Sequence, residues 1–220
     1  VCGQFEGCAQ HIRCPAAHQH PLQSNCCKIY VQKWLRIFIS LPSKSNSCYN
    51  RIGQIKEGEH NMKIQSVAIL GAGAVGSYII WGLSKKDNIR LGVIAEGDRA
   101  RRLKESGCAI NGAVYRPEVW TPQEAQGVDL LVVALKYGSL PGALESIKTA
   151  VGSNTVVMSL MNGVDSEELI AAQIGAEHLL YSFIKVASHK EADGYHFDPD
   201  ATLGVIYGER FAPFESERVK

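Results

Sequence analysis

Beyond residue 61, the chain alternates apolar runs with segments in which apolar residues recur at helical spacing. Six runs have the length and composition of strands: Ser66–Leu70, Ile89–Ala95, Asp129–Leu135, Thr155–Leu160, Leu179–Ala187 and Ala201–Tyr207. Four segments have the spacing of helices: Val75–Leu83, Asp98–Ser106, Pro141–Val151 and Ser166–Ile174. This alternation predicts an α/β fold with a Rossmann-type, doubly wound and mostly parallel sheet.

Two further segments interrupt the alternation. Cys108–Trp120 contains Asn111-Gly112 at its middle and is predicted to form a β-hairpin, as an insertion in the parallel pattern. His189–Asp200 is polar and is predicted as a turn region between the last two strands. No run of about 18 apolar residues occurs, so the sequence predicts no spanning helix and no membrane partner.

Residues 1–61 lack this pattern and differ in composition from the rest. They hold six of the seven cysteines and four of the seven histidines, and their net charge is +4 against −3 for the remainder. No apolar secretory segment is present, so a disulfide framework is not expected. No C-x-x-C pair occurs, so no metal site is predicted, and the few arginines argue against a mitochondrial transit peptide.

A translated leader is the remaining interpretation of residues 1–61. Lys56-Glu57-Gly58-Glu59 can be encoded by a purine-rich run just upstream of the Met62 codon, as a bacterial ribosome-binding site would be. We therefore expect a non-native or disordered leader over 1–61 and one nucleotide-binding domain over 62–220. The +1 net charge of the whole chain gives no basic excess, so no nucleic-acid partner is expected. We expect a cytoplasmic protein.

The first predicted strand runs directly into a glycine-rich loop with the sequence Gly71-Ala72-Gly73-Ala74-Val75-Gly76. In a strand–loop–helix unit, Gly71 permits the tight turn and Gly73 lets the backbone approach a pyrophosphate. Gly76 lets the helix pack closely, and the helix N-terminus faces the phosphates. The loop therefore predicts a dinucleotide-binding site.

The end of the second predicted strand bears on the choice between NAD and NADP. Glu96 stands where an acidic residue accepts hydrogen bonds from the adenosine ribose, which favours NAD(H). Arg99, Arg101 and Arg102 follow and offer contacts to a 2′-phosphate, as in NADP(H), or form a solvated helix face. The residues alone leave both cofactors open.

Polar residues end two further predicted strands, at the edge where α/β proteins bind ligands. Lys136 follows an apolar strand. It either contacts the cofactor or is a surface residue whose methylene groups lie along the protein while its ammonium group stays in water. Asn162-Gly163 follows the next strand and is either a turn or the source of an amide that contacts a substrate carboxylate or a ribose.

Together these motifs resemble the ketopantoate reductase (2-dehydropantoate 2-reductase) family. The resemblance spans Met62 to about Gly208. It rests on Met62-Lys63-Ile64, the Gly71–Gly76 loop, Leu135-Lys136, and Asn162-Gly163 followed by Glu167-Glu168-Leu169. It implies reduction of ketopantoate to pantoate with NADPH in pantothenate synthesis. It also implies that the glycine loop, Lys136 and Ser188 contact the cofactor, and that Asn162 contacts both nicotinamide ribose and substrate.

Two departures from the family limit what the resemblance implies. Glu96 stands where the family usually has an arginine for the 2′-phosphate, which keeps NAD(H) open. The family's helical second domain, with its general-acid lysine, is expected beyond Lys220, so we expect this chain to bind cofactor and turn over poorly. The alternatives are a dehydrogenase of another 2-keto acid and a stand-alone dinucleotide-binding module. A homodimer is expected for a full-length enzyme.

Overall fold

A computed structural model describes residues 63–163, 165–210, 216, 218 and 219 of the chain. The predictions for residues 1–61, and those that involve Met62 and Lys220, lie outside these residues. The described strands are β1 Ser66–Leu70, β2 Arg90–Ile94, β3 Cys108–Ile110, β4 Ala113–Tyr115, β5 Glu118–Trp120, β6 Leu130–Val133, β7 Val156–Ser159, β8 Leu179–Lys185, β9 His189–Glu191, β10 Gly194–His196 and β11 Gly204–Gly208. The described α-helices are α1 Ala74–Leu83, α2 Gly97–Ser106, α3 Leu144–Ala150 and α4 Ser166–Ile174.

The main sheet confirms the predicted fold class. Its strand order is β11-β8-β7-β6-β1-β2-β5, and every neighbouring pair is parallel except β8 with β11. Apart from the antiparallel β11, this is the order of a doubly wound dinucleotide-binding fold. The chain reverses its direction of winding between β1 and β6. Ile69, Val93, Leu131 and Val157 are fully buried at the centre of this sheet.

The predicted hairpin is shorter than Cys108–Trp120. Of the three strands in this segment, β3 and β4 form the hairpin. Its turn contains Asn111 and Gly112, which both have positive φ. The prediction was wrong for β5, which instead lies parallel to β2 as the edge strand of the main sheet. Side-chain packing explains this pairing. Trp120 packs over Gly92, where any Cβ would overlap the indole, and Arg90 stacks on that indole at 4.7 Å.

The predicted turn region His189–Asp200 contains two strands, which is a second correction. β9 and β10 form a hairpin, and β10 adds to β3 in a separate four-stranded sheet of order β4-β3-β10-β9. Asn111 fixes this contact, because its side-chain oxygen accepts the Phe197 amide hydrogen at 3.0 Å and its own amide donates to the Tyr195 carbonyl at 2.9 Å. Asn111 and its partners Tyr195 and Phe197 are distant in sequence, so no local sequence pattern predicts their contact.

Helix α1 is enclosed by both sheets. Every residue from Gly76 to Leu83 is buried, and the rings of Tyr78 and Trp81 contact the ring of Phe197, which directly follows β10 of the second sheet, at centroid distances of 5.2 and 5.3 Å. Predicted helices α1, α2 and α4 agree with the structure to within one residue. The helix predicted to begin at Pro141 starts as a short 3-10 turn, and its α-helical part begins at Leu144.

The described residues contain no helix that is both long and apolar enough to cross a membrane. Within the same residues, no α-helix follows β11.

Candidate functional site

An open cleft of about 1110 Å³ lies at the carboxyl ends of β1, β2 and β6. This is the point at which the sheet reverses its winding, and it is where open α/β sheets bind their ligands. The cleft is lined by Leu70, Gly71, Ala72, Gly73, Val93, Ile94, Ala95, Glu96, Asp98, Arg99, Arg102, Leu103, Ser106, Gly107, Ala134, Leu135, Lys136, Ser139, Gly142, Ala143, Ser146 and Tyr195.

The glycine loop between β1 and α1 requires glycine at two positions. Gly71 has φ +108°, and a Cβ there would lie 2.6 Å from the carbonyl oxygen of Ala134 on the neighbouring strand end. A Cβ at Gly76 would overlap the carbonyl oxygen of Gly71, so α1 can start this close to the loop only with glycine there. Both positions have the turn and close-packing roles expected from the sequence.

Gly73 differs from these two glycines because nothing lies within 4 Å of a Cβ built on it. The space beside its Cα is therefore open cleft, which a ligand can occupy and a side chain would fill. Gly73 is also the N-cap of α1, with no side-chain cap and no acidic residue in the first turn. The first amide groups of α1 are thus left for an anion. Ala74, Val75 and Gly76 begin the helix but do not line the cleft.

Charged residues of both signs line the wall formed by the end of β2 and helix α2. Glu96 and Arg99 both line the cleft, as the sequence analysis expected of cofactor-binding residues, and Arg102 joins them. Arg101 lies outside the lining and forms ion pairs with Asp98 at 3.2 Å and Glu105 at 3.5 Å. Arg99 and Arg102, although exposed, therefore border the cleft, whereas Arg101 faces away from it and pairs within its own helix.

Lys136 borders the cleft just after β6. It is exposed, and its carbonyl oxygen accepts the Ser139 amide hydrogen at 2.8 Å, so it begins a short 3-10 turn over Tyr137–Ser139. The ammonium group is therefore carried by a fixed backbone at the strand end.

Asn162 and Ser188 lie at the same edge of the sheet, outside the residues that line the cleft. Asn162 is exposed after β7, beside Gly163 at φ +111°. Ser188 follows β8, and its hydroxyl is buried with no hydrogen-bond partner among the described residues. The structure thus brings Gly71, Gly73 and Lys136 to one cleft with Glu96 and Arg99, and places Asn162 and Ser188 beyond the neighbouring strand ends.

Sequence reasoning missed two parts of the cleft wall. Tyr195 reaches the cleft from β10, in the segment that was predicted as a turn region. Ser139 and Ser146 line it from the turns before α3 and from α3 itself. The helix start at Pro141 was the available signal for the second group, since chain that follows a parallel strand lies at the ligand-binding edge.

Two other groups of reactive side chains are not among the residues that line this cleft. Cys108 is buried in the core, and burial raises the pKa of its thiol, as expected of a core cysteine. Glu191, Asp193 and His196 on the β9–β10 hairpin have ligand atoms within 4.8 Å of one another. His196 is already hydrogen-bonded to Asp193 at 2.9 Å, so this hydrogen bond accounts for their contact.

Comparison with known proteins identifies the family. The family model described as ketopantoate reductase PanE/ApbA matches residues 67–202, which is more than half of the chain. This chain belongs to the ketopantoate reductase family. The match begins in β1 and ends before β11, so it includes the residues that line the cleft, the second sheet and all of the main sheet except β11 and the first residue of β1.

Curated relatives of this ketopantoate reductase family member are oxidoreductases. An uncharacterized oxidoreductase of Bacillus subtilis (strain 168) is 27% identical over 145 residues, which are 64% of this chain and 48% of that protein. The 2-dehydropantoate 2-reductase of Streptococcus pyogenes serotype M3 (strain ATCC BAA-595 / MGAS315) is 31% identical over 118 residues, 52% of this chain and 38% of that protein. The chain therefore spans less than half the length of these relatives.

Solved structures show the same relationship. The crystal structure of 2-dehydropantoate 2-reductase from Geobacter metallireducens GS-15 matches this family member with a TM-score of 0.57 and 26% identity, over 70% of this chain and 52% of that one. D-mandelate dehydrogenase, in a ternary structure with NADH and anilino(oxo)acetate, shares the fold with a TM-score of 0.53 and 23% identity, over 60% of this chain and 45% of that one.

Proposed function

We propose that this domain binds NADP(H) in the cleft at the switch point, as the nucleotide-binding part of a reductase of 2-keto acids. The observation that carries the proposal is the contrast within the glycine loop. Gly71 is held against Ala134 at positive φ, whereas Gly73 faces open cleft at the uncapped start of α1. This combination leaves room and amide donors for a pyrophosphate, and the residues present fit such a cofactor.

The proposed roles of the surrounding side chains follow from their charge and place. The Lys136 ammonium and the α1 N-terminus attract phosphate groups. Arg99 takes the 2′-phosphate of NADP(H), and Glu96 accepts from the adenosine ribose hydroxyls if NAD(H) binds instead. When bound, the nicotinamide supplies the hydride for carbonyl reduction.

We propose ketopantoate as the substrate, with Asn162 as the donor that orients both it and the nicotinamide ribose. The exposed amide at the carboxyl end of β7 is suited to bind a carboxylate or a hydroxyl. A small-molecule keto acid agrees with the family. We further propose that a lysine of the whole enzyme acts as the general acid and that the whole enzyme is a homodimer.

A reductase of a different 2-keto acid is the second candidate function. Glu96 favours it, because this residue departs from the family pattern at the position that selects the cofactor. Turnover assays with ketopantoate and a panel of other 2-keto acids, each with NADPH and NADH, distinguish the two. Cofactor binding without turnover of any keto acid would instead support a dinucleotide-binding module.

The binding proposal is tested with Gly73→Ala. The added methyl enters open cleft and touches nothing in the protein, so we expect the NADPH Kd, measured by calorimetry, to rise at least fivefold while Tm stays unchanged. Gly138→Ala is the matched control, since its Cβ also meets nothing within 4 Å and Gly138 does not line the cleft. An unchanged NADPH affinity in Gly73→Ala would rule out the proposed pyrophosphate site.

A further inference from the structure

We propose that Glu167 is a positioning residue for the Asn162 loop, acting through a buried chain of serine hydroxyl groups. The inference rests on the proposed function of the site and adds a residue to it. The loop concerned runs from Ser159, the last residue of β7, to Ser166, the first residue of α4, and carries Asn162 near its middle.

The two ends of this loop are joined by a hydrogen bond inside the protein. The hydroxyl groups of Ser159 and Ser166 lie 2.8 Å apart, and each residue is only 1% exposed. The Ser166 hydroxyl donates to the Glu167 carboxylate at 2.7 Å. A hydroxyl has one proton to donate, so Ser159 is the donor in the first bond. The hydrogen bonds therefore run in one direction, from the Ser159 hydroxyl to the Ser166 hydroxyl and from there to the Glu167 carboxylate.

A third element, strand β8, is tied to the same point. The Ser182 hydroxyl of β8 donates to the carbonyl oxygen of Ser159 at 2.8 Å. The loop is thus anchored to β7, β8 and α4 together. The N-cap residue Asp165 forms no side-chain cap hydrogen bond to this helix.

Glu167 is an unusual residue to find in this environment. It is 8% exposed, and none of the ion pairs among the described residues involves it, whereas its neighbour Glu168 is exposed and pairs with Arg210 at 2.7 Å. Burial of a carboxylate is unfavourable unless hydrogen bonds and local dipoles compensate. Here the Ser166 hydroxyl and the N-terminus of α4 provide that compensation.

The consequence for Asn162 is geometric. Its amide forms no hydrogen bond with another described residue, so the amide is available to a ligand and its place is set by the loop backbone. Removal of the Glu167 carboxylate leaves the Ser166 hydroxyl without its acceptor, so this hydroxyl can turn away from Ser159 and the hydrogen bond that links β7 to α4 is weakened. Catalytic groups that move by about 1 Å lose much of their effect, so a loosened loop weakens contacts at the nicotinamide ribose.

The test compares two ligands on the full chain by calorimetry. NADPH contains the nicotinamide ribose, whereas adenosine 2′,5′-bisphosphate contains only the adenosine part with its phosphates. For Glu167→Ala and Ser166→Ala we expect the NADPH Kd to rise about fivefold and the bisphosphate Kd to stay within twofold of wild type. Glu168→Gln is the matched control and should change neither value.

A double-mutant cycle with Asn162→Ala separates positioning from general destabilisation. If Glu167 acts through Asn162, the NADPH affinity of the double variant equals that of Asn162→Ala alone. Equal weakening of both ligands, additive losses, or no change in either ligand would each overturn the inference. If Glu167→Ala fails to fold, Glu167→Met also removes the acceptor of Ser166, at a similar side-chain length, and carries the same comparisons. If wild type binds neither ligand, the proposed function fails, and this inference fails with it.

Discussion

Ser66 and Asp129 bind each other reciprocally at the start of two adjacent strands. The Asp129 carboxylate accepts from the amide and the hydroxyl of Ser66, each at 2.8 Å, and the Ser66 hydroxyl oxygen accepts the Asp129 amide hydrogen at 3.0 Å. This contact joins β1 to β6 at the amino edge of the sheet. The glycine loop and Lys136 lie at the opposite edge. The contact therefore holds together, at their amino ends, the two strands between which the sheet reverses its winding.

Asp129→Ala removes the acceptor from this contact and leaves the donors of Gln65 and Ser66 without it. We expect the free energy of unfolding to fall by about 2 kcal/mol, the usual effect of losing hydrogen bonds to a charged group. Urea denaturation measures this change. NADPH affinity should stay the same, because the residue lies at the far edge from the cleft, and a large loss of affinity would contradict that separation.

The same carboxylate gives a pH dependence with a defined sign. Burial alone would raise the pKa of Asp129, but hydrogen bonds from Gln65 and Ser66 outweigh it and lower the pKa below its ordinary value. A lowered folded-state pKa contributes stability above the unfolded value of about 3.9, and that contribution disappears as pH falls through the folded value.

Asp129→Asn tests this dependence, since asparagine keeps an acceptor and cannot titrate. The difference in unfolding free energy between wild type and Asp129→Asn should be constant near neutral pH and should shrink below about pH 4. Denaturation series at several pH values provide the measurement. A difference that grows on acidification would reverse the assigned sign.

Gly92→Ala should detach the edge strand β5. The new methyl would overlap the Trp120 indole, on which Arg90 also stacks at 4.7 Å. We expect a loss of about 2 kcal/mol, as for overpacked core sites, together with a red shift of tryptophan fluorescence. Gly138→Ala serves as the control, and a Gly92→Ala protein with wild-type Tm and emission would show that β5 does not pack in this way.

The charged wall of the cleft predicts how the cofactor preference responds to mutation. Arg99→Ala should weaken NADPH about tenfold and leave NADH unchanged, because only NADPH carries the 2′-phosphate. Glu96→Ala should weaken NADH binding, because it removes an acceptor for the ribose hydroxyls. It should strengthen NADPH binding, because it removes a charge that repels the 2′-phosphate. Arg101→Ala is the control on the same helix. Equal effects of Arg99→Ala on both cofactors would remove its proposed role.

The sequence allowed prediction of the main sheet and of the cleft because both depend on local pattern. Gly71 and Gly73 stand directly after an apolar strand, and Lys136 directly after another, so strand ends and ligand site coincide. The second sheet depends on contacts between distant segments. Asn111 reads as a turn residue, and nothing in its neighbourhood indicates that it binds Phe197. The burial of Glu167 could not be predicted either, because the sequence does not distinguish it from the adjacent, exposed Glu168.

The enclosure of α1 by two sheets has a thermodynamic consequence for the site. Tyr78 and Trp81 lock the helix against Phe197, so the amide groups at its first turn are already oriented before any ligand arrives. A receptor that is rigid in advance loses little conformational entropy on association. The phosphate-binding end should therefore be preorganised, with the same backbone geometry in the free and the bound protein, and adaptation to different cofactors is left to α2, in which no residue is buried.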